Sequence, residues 1–140
     1  MLFLMVFASS TAQASDLEVL INPDHADTPV DRSLLRTIFT MRTRTWTDGQ
    51  PVRVFVMPDT NEIHDQFCRE LLGIYPYVLR SAWDRMVFTG TGFAPEVVHS
   101  EIEMRAKVST TPGAIGYARK IGRSTANGPA GLMKVSNHEK

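Results

Sequence analysis

Cysteine is almost absent from this chain. Among its 140 residues there is one, Cys68. A single thiol cannot close an internal disulfide, which excludes a disulfide-stapled scaffold. Charge of either sign is also not in excess: Lys plus Arg number 15, and Asp plus Glu number 15. Nucleic-acid affinity needs a basic footprint, so the zero balance excludes a general polyanion binder. No Lys/Arg run interleaves with aromatics, and there is no internal repeat or low-complexity tract. Signatures of catalysis are missing too: no G-x-S-x-G elbow, no H-E-x-x-H and no P-loop. No nucleophile–base–orienter set is legible, so the chain is read as non-enzymatic, with no catalytic residue, no metal site and no cofactor.

What remains is an ordinary globular composition. Hydrophobic residues make up 43% and charged residues 21%, values that separate the chain from disordered sequences. Its length suits one domain with one core.

The stretch Met1 to Ala8 is apolar, uncharged and too short to span a bilayer as a helix. It runs into Ala12-Gln13-Ala14, an A-x-A cleavage signal. Together these predict a secretory signal peptide over 1–14, cut after Ala14, although no Lys or Arg precedes the apolar run. An N-terminal core strand is the alternative. No second apolar run is long enough for a membrane helix, so residues 15–140 are expected to form a soluble domain. In an oxidising compartment a lone thiol is expected to be buried, and Phe67 and Leu71 flank Cys68 accordingly.

Along the chain, Leu17 to Ile21 reads as a strand that stops at Asn22-Pro23. Asp31 offers an N-cap, and Leu34, Leu35, Ile38 and Phe39 follow with helical spacing. The segment Thr40 to Thr45 is polar and basic. Asp48-Gly49 marks a turn after Trp46. Val52, Val54 and Val56 predict a strand covered on most of both faces, ended by Pro58. A helix then begins at Asp59-Thr60-Asn61, with Ile63, Phe67 and Leu71 on one stripe and Gly73 as its C-cap. A second helix after Pro76 should bury Leu79, Trp83, Met86 and Val87. A third should start near Pro95 and turn Val98, Ile102 and Ala106 inward. Ala114 to Ala118 is a strand candidate whose small residues imply close packing, and Leu132 to Val135 reads as a last short strand. Strands separated by helices predict an α/β sandwich with crossover connections. The expected core includes Phe39, Trp46, Phe67, Trp83, Phe88 and Ile115.

Few residues carry chemistry. His64 and Cys68 lie four apart on a helix and could hold a soft metal, but no third ligand is evident. They are read as a half-buried histidine beside a core cysteine. Glu101 and Glu103 are read as a solvated helix face. The turns Thr89-Gly90-Thr91-Gly92 and Thr111-Pro112-Gly113 place hydroxyls and flexible backbone at element ends, where N–H groups can meet anions. Taken alone, each is a turn first.

The order of segments resembles phosphate-type periplasmic solute-binding proteins. Leu34 to Phe39 followed by Trp46-Thr47-Asp48-Gly49-Gln50-Pro51 is similar to that family's IF-G…W-DG-P segment, with Thr40-Met41 where the family has Leu-Gly. Thr111-Pro112-Gly113-Ala114-Ile115-Gly116-Tyr117 matches its TPGAIGY motif at every position. Trp83 and Phe88-Thr89-Gly90 resemble short, single-lobe relatives. The resemblance covers roughly residues 17–120. It implies one lobe of a type 2 periplasmic-binding-protein fold, a mostly parallel sheet flanked by helices, in the periplasm. The mature chain is about half what two lobes need, so it can supply one wall of a ligand cleft.

The resemblance also locates a ligand loop. Where the family carries an arginine and a Ser-Gly-Thr run at a helix start, this chain has Met57-Pro58-Asp59-Thr60-Asn61. No arginine stands there. Asp59 would repel an anion and is expected to cap the helix, while Thr60 and Asn61 keep donor capacity. The candidate ligand residues are therefore Asp59, Thr60 and Asn61, with Thr89, Gly90 and Thr91. Two functions follow. One is a solute-binding-like protein, related to phosphate ABC transporter receptors, with weak or altered binding of a small anion such as phosphate and a membrane transporter or a second periplasmic protein as partner. The other is an interaction or sensory module that has lost its ligand.

Overall fold

The computed structural model describes residues 16–121. The expected signal peptide over 1–14 and the expected strand at Leu132 to Val135 lie outside these residues. Strand β1 (Leu17–Ile21) is followed by a 3-10 turn at Pro23–His25 and by helix α1 (Arg32–Phe39). Strand β2 (Arg53–Val56) leads to helix α2 (Glu62–Phe67), which continues as a π-helical turn over Cys68–Leu72. Helix α3 (Pro76–Thr89), the short strand β3 (Glu96–Val97), helix α4 (Glu101–Thr110) and strand β4 (Ala114–Arg119) complete the order.

The strands form one sheet in the order β1-β4-β2-β3. β2 pairs in parallel with both β4 and β3. The β1–β4 pairing, from Leu17 against Arg119 to Ile21 against Ile115, is antiparallel. The sheet is thus mostly parallel and flanked by helices, as expected. Parallel neighbours need long crossovers, which the intervening helices supply.

Alternation along β4 sorts the helices into layers. Tyr117 points to one face, where its ring stacks on Phe67 of α2 at 3.9 Å and approaches Phe39 of α1 at 6.0 Å. Gly116 points to the other. A Cβ there would lie 2.5 Å from Met104 Sδ and 3.0 Å from Val108 Cγ2, so α4 packs against a strand that has no room for a side chain at this position. The core between sheet and helices holds Ile38, Phe39, Phe67, Leu72, Leu79 and Ile115, all without solvent exposure. Trp83 joins them, and its Nε1–H donates to the Phe39 carbonyl at 2.7 Å, which fixes α3 on the end of α1.

Two helix faces differ from expectation. Phe88 is 91% exposed and Val87 is also exposed. Trp83 already meets the last residue of α1, so the final turn of α3 runs past the core. Helix α4 starts later than Pro95. Glu96 and Val97 pair with β2 instead, and the Val98 N–H donates to the Val56 carbonyl at 2.8 Å. The cap is Ser100, whose Oγ accepts from the Glu103 N–H. Met104 and Val108 consequently face inward, while Ile102 and Ala106 face solvent. A two-residue offset turns a helix by about 200°, which exchanges its faces. Nor are Glu101 and Glu103 merely solvated. Glu103 Oε1 accepts from the His99 N–H and Glu101 Oε1 from the Arg119 N–H.

Candidate functional site

Open parallel sheets bind ligands beyond the carboxyl ends of their strands. Here β2 leaves the sheet through Met57 to Asn61, and β4 leaves it at Arg119, its parallel neighbour. Between them opens a polar cleft. Thr60, Asn61 and Gln66 contribute uncharged donors; Asp59, Glu62, Asp65 and Glu70 contribute carboxylates; Arg69 and Arg119 contribute guanidiniums.

The Pro58–Asn61 turn is closed by the Asn61 N–H on the Pro58 carbonyl at 2.9 Å. Asn61 caps α2. Its Oδ1 accepts from the N–H groups of Ile63 at 2.8 Å and His64 at 3.3 Å. Asp59, expected in that role, does something else. Its two oxygens accept from Arg80 Nε at 2.8 Å and Arg80 Nη2 at 3.0 Å. These hydrogen bonds hold the Asp59 carboxyl below its usual range, against the opposing effect of partial burial. An arginine therefore does reach this loop, from α3 rather than from the loop itself, and it is spent on an internal carboxylate. Its guanidinium also lies 5.1 Å from the Trp83 ring.

Arg119 is different. Its backbone is bonded on both sides, with the N–H to Glu101 and the carbonyl accepting from Arg105 Nη2. Its side chain is exposed and has no hydrogen-bond or ion-pair partner among the described residues. Across the cleft Arg69 pairs with Asp65 at 2.6 Å. Among the described residues Arg119 is thus the open cation of the cleft, and nothing in the local sequence of 57–61 announces it. Only strand pairing brings position 119 beside Thr60 and Asn61.

Beneath the cleft lies a buried polar chain. The Met57 N–H donates to Tyr117 Oη at 2.8 Å, and that hydroxyl shares a hydrogen bond with His64 Nδ1 at 2.5 Å. His64 Nε2 faces Cys68 Sγ at 3.5 Å and Asp59 Oδ1 at 3.8 Å. Burial holds the imidazole below its ordinary value, so the ring is neutral near pH 7. Burial also pushes the Cys68 thiol up to about 12. Burial thus keeps the Cys68 thiol protonated near pH 7, away from the reactive thiolate form. His64 is fully buried rather than half-buried. Among the described residues, no three His, Cys, Asp or Glu side chains are grouped to hold a metal ion.

The second candidate segment lies elsewhere. Thr89, Gly90 and Thr91 close the C-terminal end of α3, where Gly90 adopts φ 72° and its N–H returns to Met86 and Val87 carbonyls. Thr89 Oγ1 donates to the Arg85 carbonyl at 2.8 Å, and Arg44 holds the Thr91 carbonyl. These residues are outside the cleft lining. A helix C-terminus presents carbonyls, which disfavours an anion. The structure therefore brings Asp59, Thr60 and Asn61 together with Arg119 and leaves the glycine turn apart.

No protein-family model matches the chain, and no curated protein matches it. Among solved structures its fold is similar to the crystal structure of an ABC-type phosphate transport receptor from Vibrio cholerae, with a TM-score of 0.56 at 16% sequence identity. The likeness covers 74% of this chain and 40% of that receptor, so the chain spans well under two thirds of the receptor's length. No helix among the described residues is long and apolar enough to cross a membrane. At this identity the likeness concerns the fold: a single lobe of a periplasmic-binding-protein-like architecture, with its polar cleft at the carboxyl ends of the parallel strands.

Proposed function

We propose that this chain is an exported, non-enzymatic solute-binding-like lobe that holds a small anion at the carboxyl edge of its sheet. The observation that carries this reading is the guanidinium of Arg119, without a partner among the described residues, in one cleft with Thr60 and Asn61. A planar guanidinium gives bidentate, charge-assisted bonds to phosphate or carboxylate. The similarity in fold to a phosphate transport receptor supports the same chemistry. The carboxylates in the lining weaken it for a doubly charged ion, so preference shifts toward a singly charged anion. One lobe supplies one wall. A second copy or another periplasmic protein would supply the opposite wall, and a membrane transporter is the downstream partner this reading implies.

The test is thermal unfolding of the full chain with phosphate, sulfate and small carboxylates at fixed ionic strength. At about 100 times its dissociation constant a ligand stabilises by about 2.7 kcal/mol, which a melt detects. The expected result is a saturable shift with one anion that Arg119→Gln abolishes. No shift with any anion would sink this reading and favour the interaction module, in which the Asp59–Arg80 pair closes the old ligand loop.

A further inference from the structure

The basic segment Thr40 to Thr45 has no part in the cleft. With Arg32 and Arg36 it belongs to a stretch, 32–47, that contains four arginines and no Asp or Glu, in a chain whose overall charge is zero. Two of these arginines are structural. Arg32 and Arg36 donate to the Glu70, Leu71 and Leu72 carbonyls at the end of the π-helical turn. Arg44 is also occupied, by the Met41 and Thr91 carbonyls. Arg42 is exposed, and its guanidinium has no partner among the described residues.

A groove runs between α1 and α3 beside this segment. Its apolar lining comes from Ile74, Val78, Leu79, Ala82 and Met86. Val78, Ala82 and Met86 follow one another at a spacing of four, so they form a stripe along α3 next to the buried Leu79–Trp83 stripe. Thr37, Thr40 and Ala82 are small, which lets another backbone come close. The charged lining consists of Arg36, Arg42 and Arg85, with no carboxylate among the lining residues. Arg85, like Arg42, is exposed with no partner for its guanidinium among the described residues.

We infer that this groove is a docking site for an acidic amphipathic helical segment of a partner protein. The apolar stripe takes the partner's apolar face by helix-in-groove packing. Arg42 and Arg85 take carboxylates at its margins. The charge sign selects the partner, because a basic segment would meet three arginines and no opposing acid. This site is separate from Arg119 and does not depend on anion binding in the cleft.

The probe is a fluorescein-labelled peptide of about five helical turns, with Leu on one face and Glu on the other. Its anisotropy is followed against the full chain. Saturable binding is expected, weakened at least about tenfold by Arg42→Glu/Arg85→Glu and by Val78→Asp, and unchanged by Arg119→Gln. Should the charge-reversed variant melt early, the milder Arg42→Gln/Arg85→Gln pair serves in its place. A peptide of the same composition with its Leu residues scattered around the helix should bind at least about tenfold less tightly. Equal binding of that peptide, or equal binding by the arginine variants, would overturn the inference. So would failure of the acidic peptide to bind while phosphatidylglycerol vesicles do, which would make the face a lipid contact.

Discussion

Trp46 donates its indole N–H to the carbonyl oxygen of Gly113 at 3.0 Å, across 67 residues of sequence. The same carbonyl accepts from the Arg53 N–H at 2.9 Å. The His25 ring stacks on Trp46 at 4.9 Å and holds Asp48 by Nε2 at 2.9 Å. The two segments that carry the resemblance, the tryptophan turn and Thr111 to Tyr117, are therefore one packed unit at the amino end of β4.

Gly113 should be irreplaceable. Its φ is +76°, and a Cβ would lie 2.2 Å from the Pro51 carbonyl oxygen, a backbone atom with little freedom to move. The left-handed conformation alone costs a non-glycine residue about 1–3 kcal/mol, and the clash adds to that. Gly49 has φ +88° with nothing within 4 Å of a Cβ. In urea unfolding, Gly113→Ala is expected to lose clearly more stability than Gly49→Ala. Equal losses would mean that the Pro51 contact relaxes freely.

Trp83→Ala should cost about 3–5 kcal/mol, since it empties a fully enclosed site and removes the bond to Phe39. Phe88→Ser, at a 91% exposed position, should be close to neutral. Chemical denaturation of the two variants checks the assignment of the inner face of α3. A costly Phe88→Ser would place that ring against something else.

Acid should weaken the fold in two steps. Burial holds His64 below 6.5, its ordinary value, so the unfolded chain takes up a proton there before the native chain does. Stability is then full above pH 6.5 and declines as pH falls below it. Asp59, held below 3.8 by Arg80, adds stability that is present above pH 3.8 and lost on further acidification. Urea midpoints at pH 7 and pH 5 should differ for the native sequence and differ less for His64→Gln. A native midpoint that does not move over this range would contradict the buried neutral imidazole.

Tyr117→Phe deletes the hydroxyl that joins the Met57 N–H to His64. Two buried polar groups lose a partner, and each such loss costs about 1–3 kcal/mol. The measurement is equilibrium unfolding at neutral pH. A neutral substitution would show that the buried chain contributes nothing.

Asp59→Asn should free Arg80 for a ligand. The pair is partly exposed, so the stability lost is small, about 0–1 kcal/mol. The phosphate concentration needed for half-maximal thermal stabilisation should fall roughly tenfold, because one carboxylate leaves and one guanidinium becomes available. An unchanged phosphate response would separate Asp59 from the ligand site.

The local sequence alone determined the elements whose causes are local. Asp31 caps α1 by accepting from the Leu34 N–H at 2.8 Å, and Gly73 ends its helix at φ 69°. The strands Leu17–Ile21 and Ala114–Arg119 were legible from apolar runs between turn residues. The start of α4 departs from expectation: Pro95 points to a first turn six residues ahead of Glu101, where Ser100 is the cap and Glu103 stands at capping-box spacing. Asp59 departs from expectation for a related reason. Asp and Asn both cap helices, and the choice between them depended on Arg80, a residue 21 positions away.

Tertiary structure decided the candidate site. Arg119 lines one cleft with Thr60 and Asn61 because β4 inserts between β1 and β2, a strand order that hydrophobic periodicity does not encode. The burial of Trp83 and the exposure of Phe88 likewise depend on where α1 stops beneath α3. Capping and turn conformations are short-range, set by a residue and its next few neighbours. Strand order and the reach of a guanidinium depend on which long-range packing buries the most apolar surface, and that is a property of the folded chain.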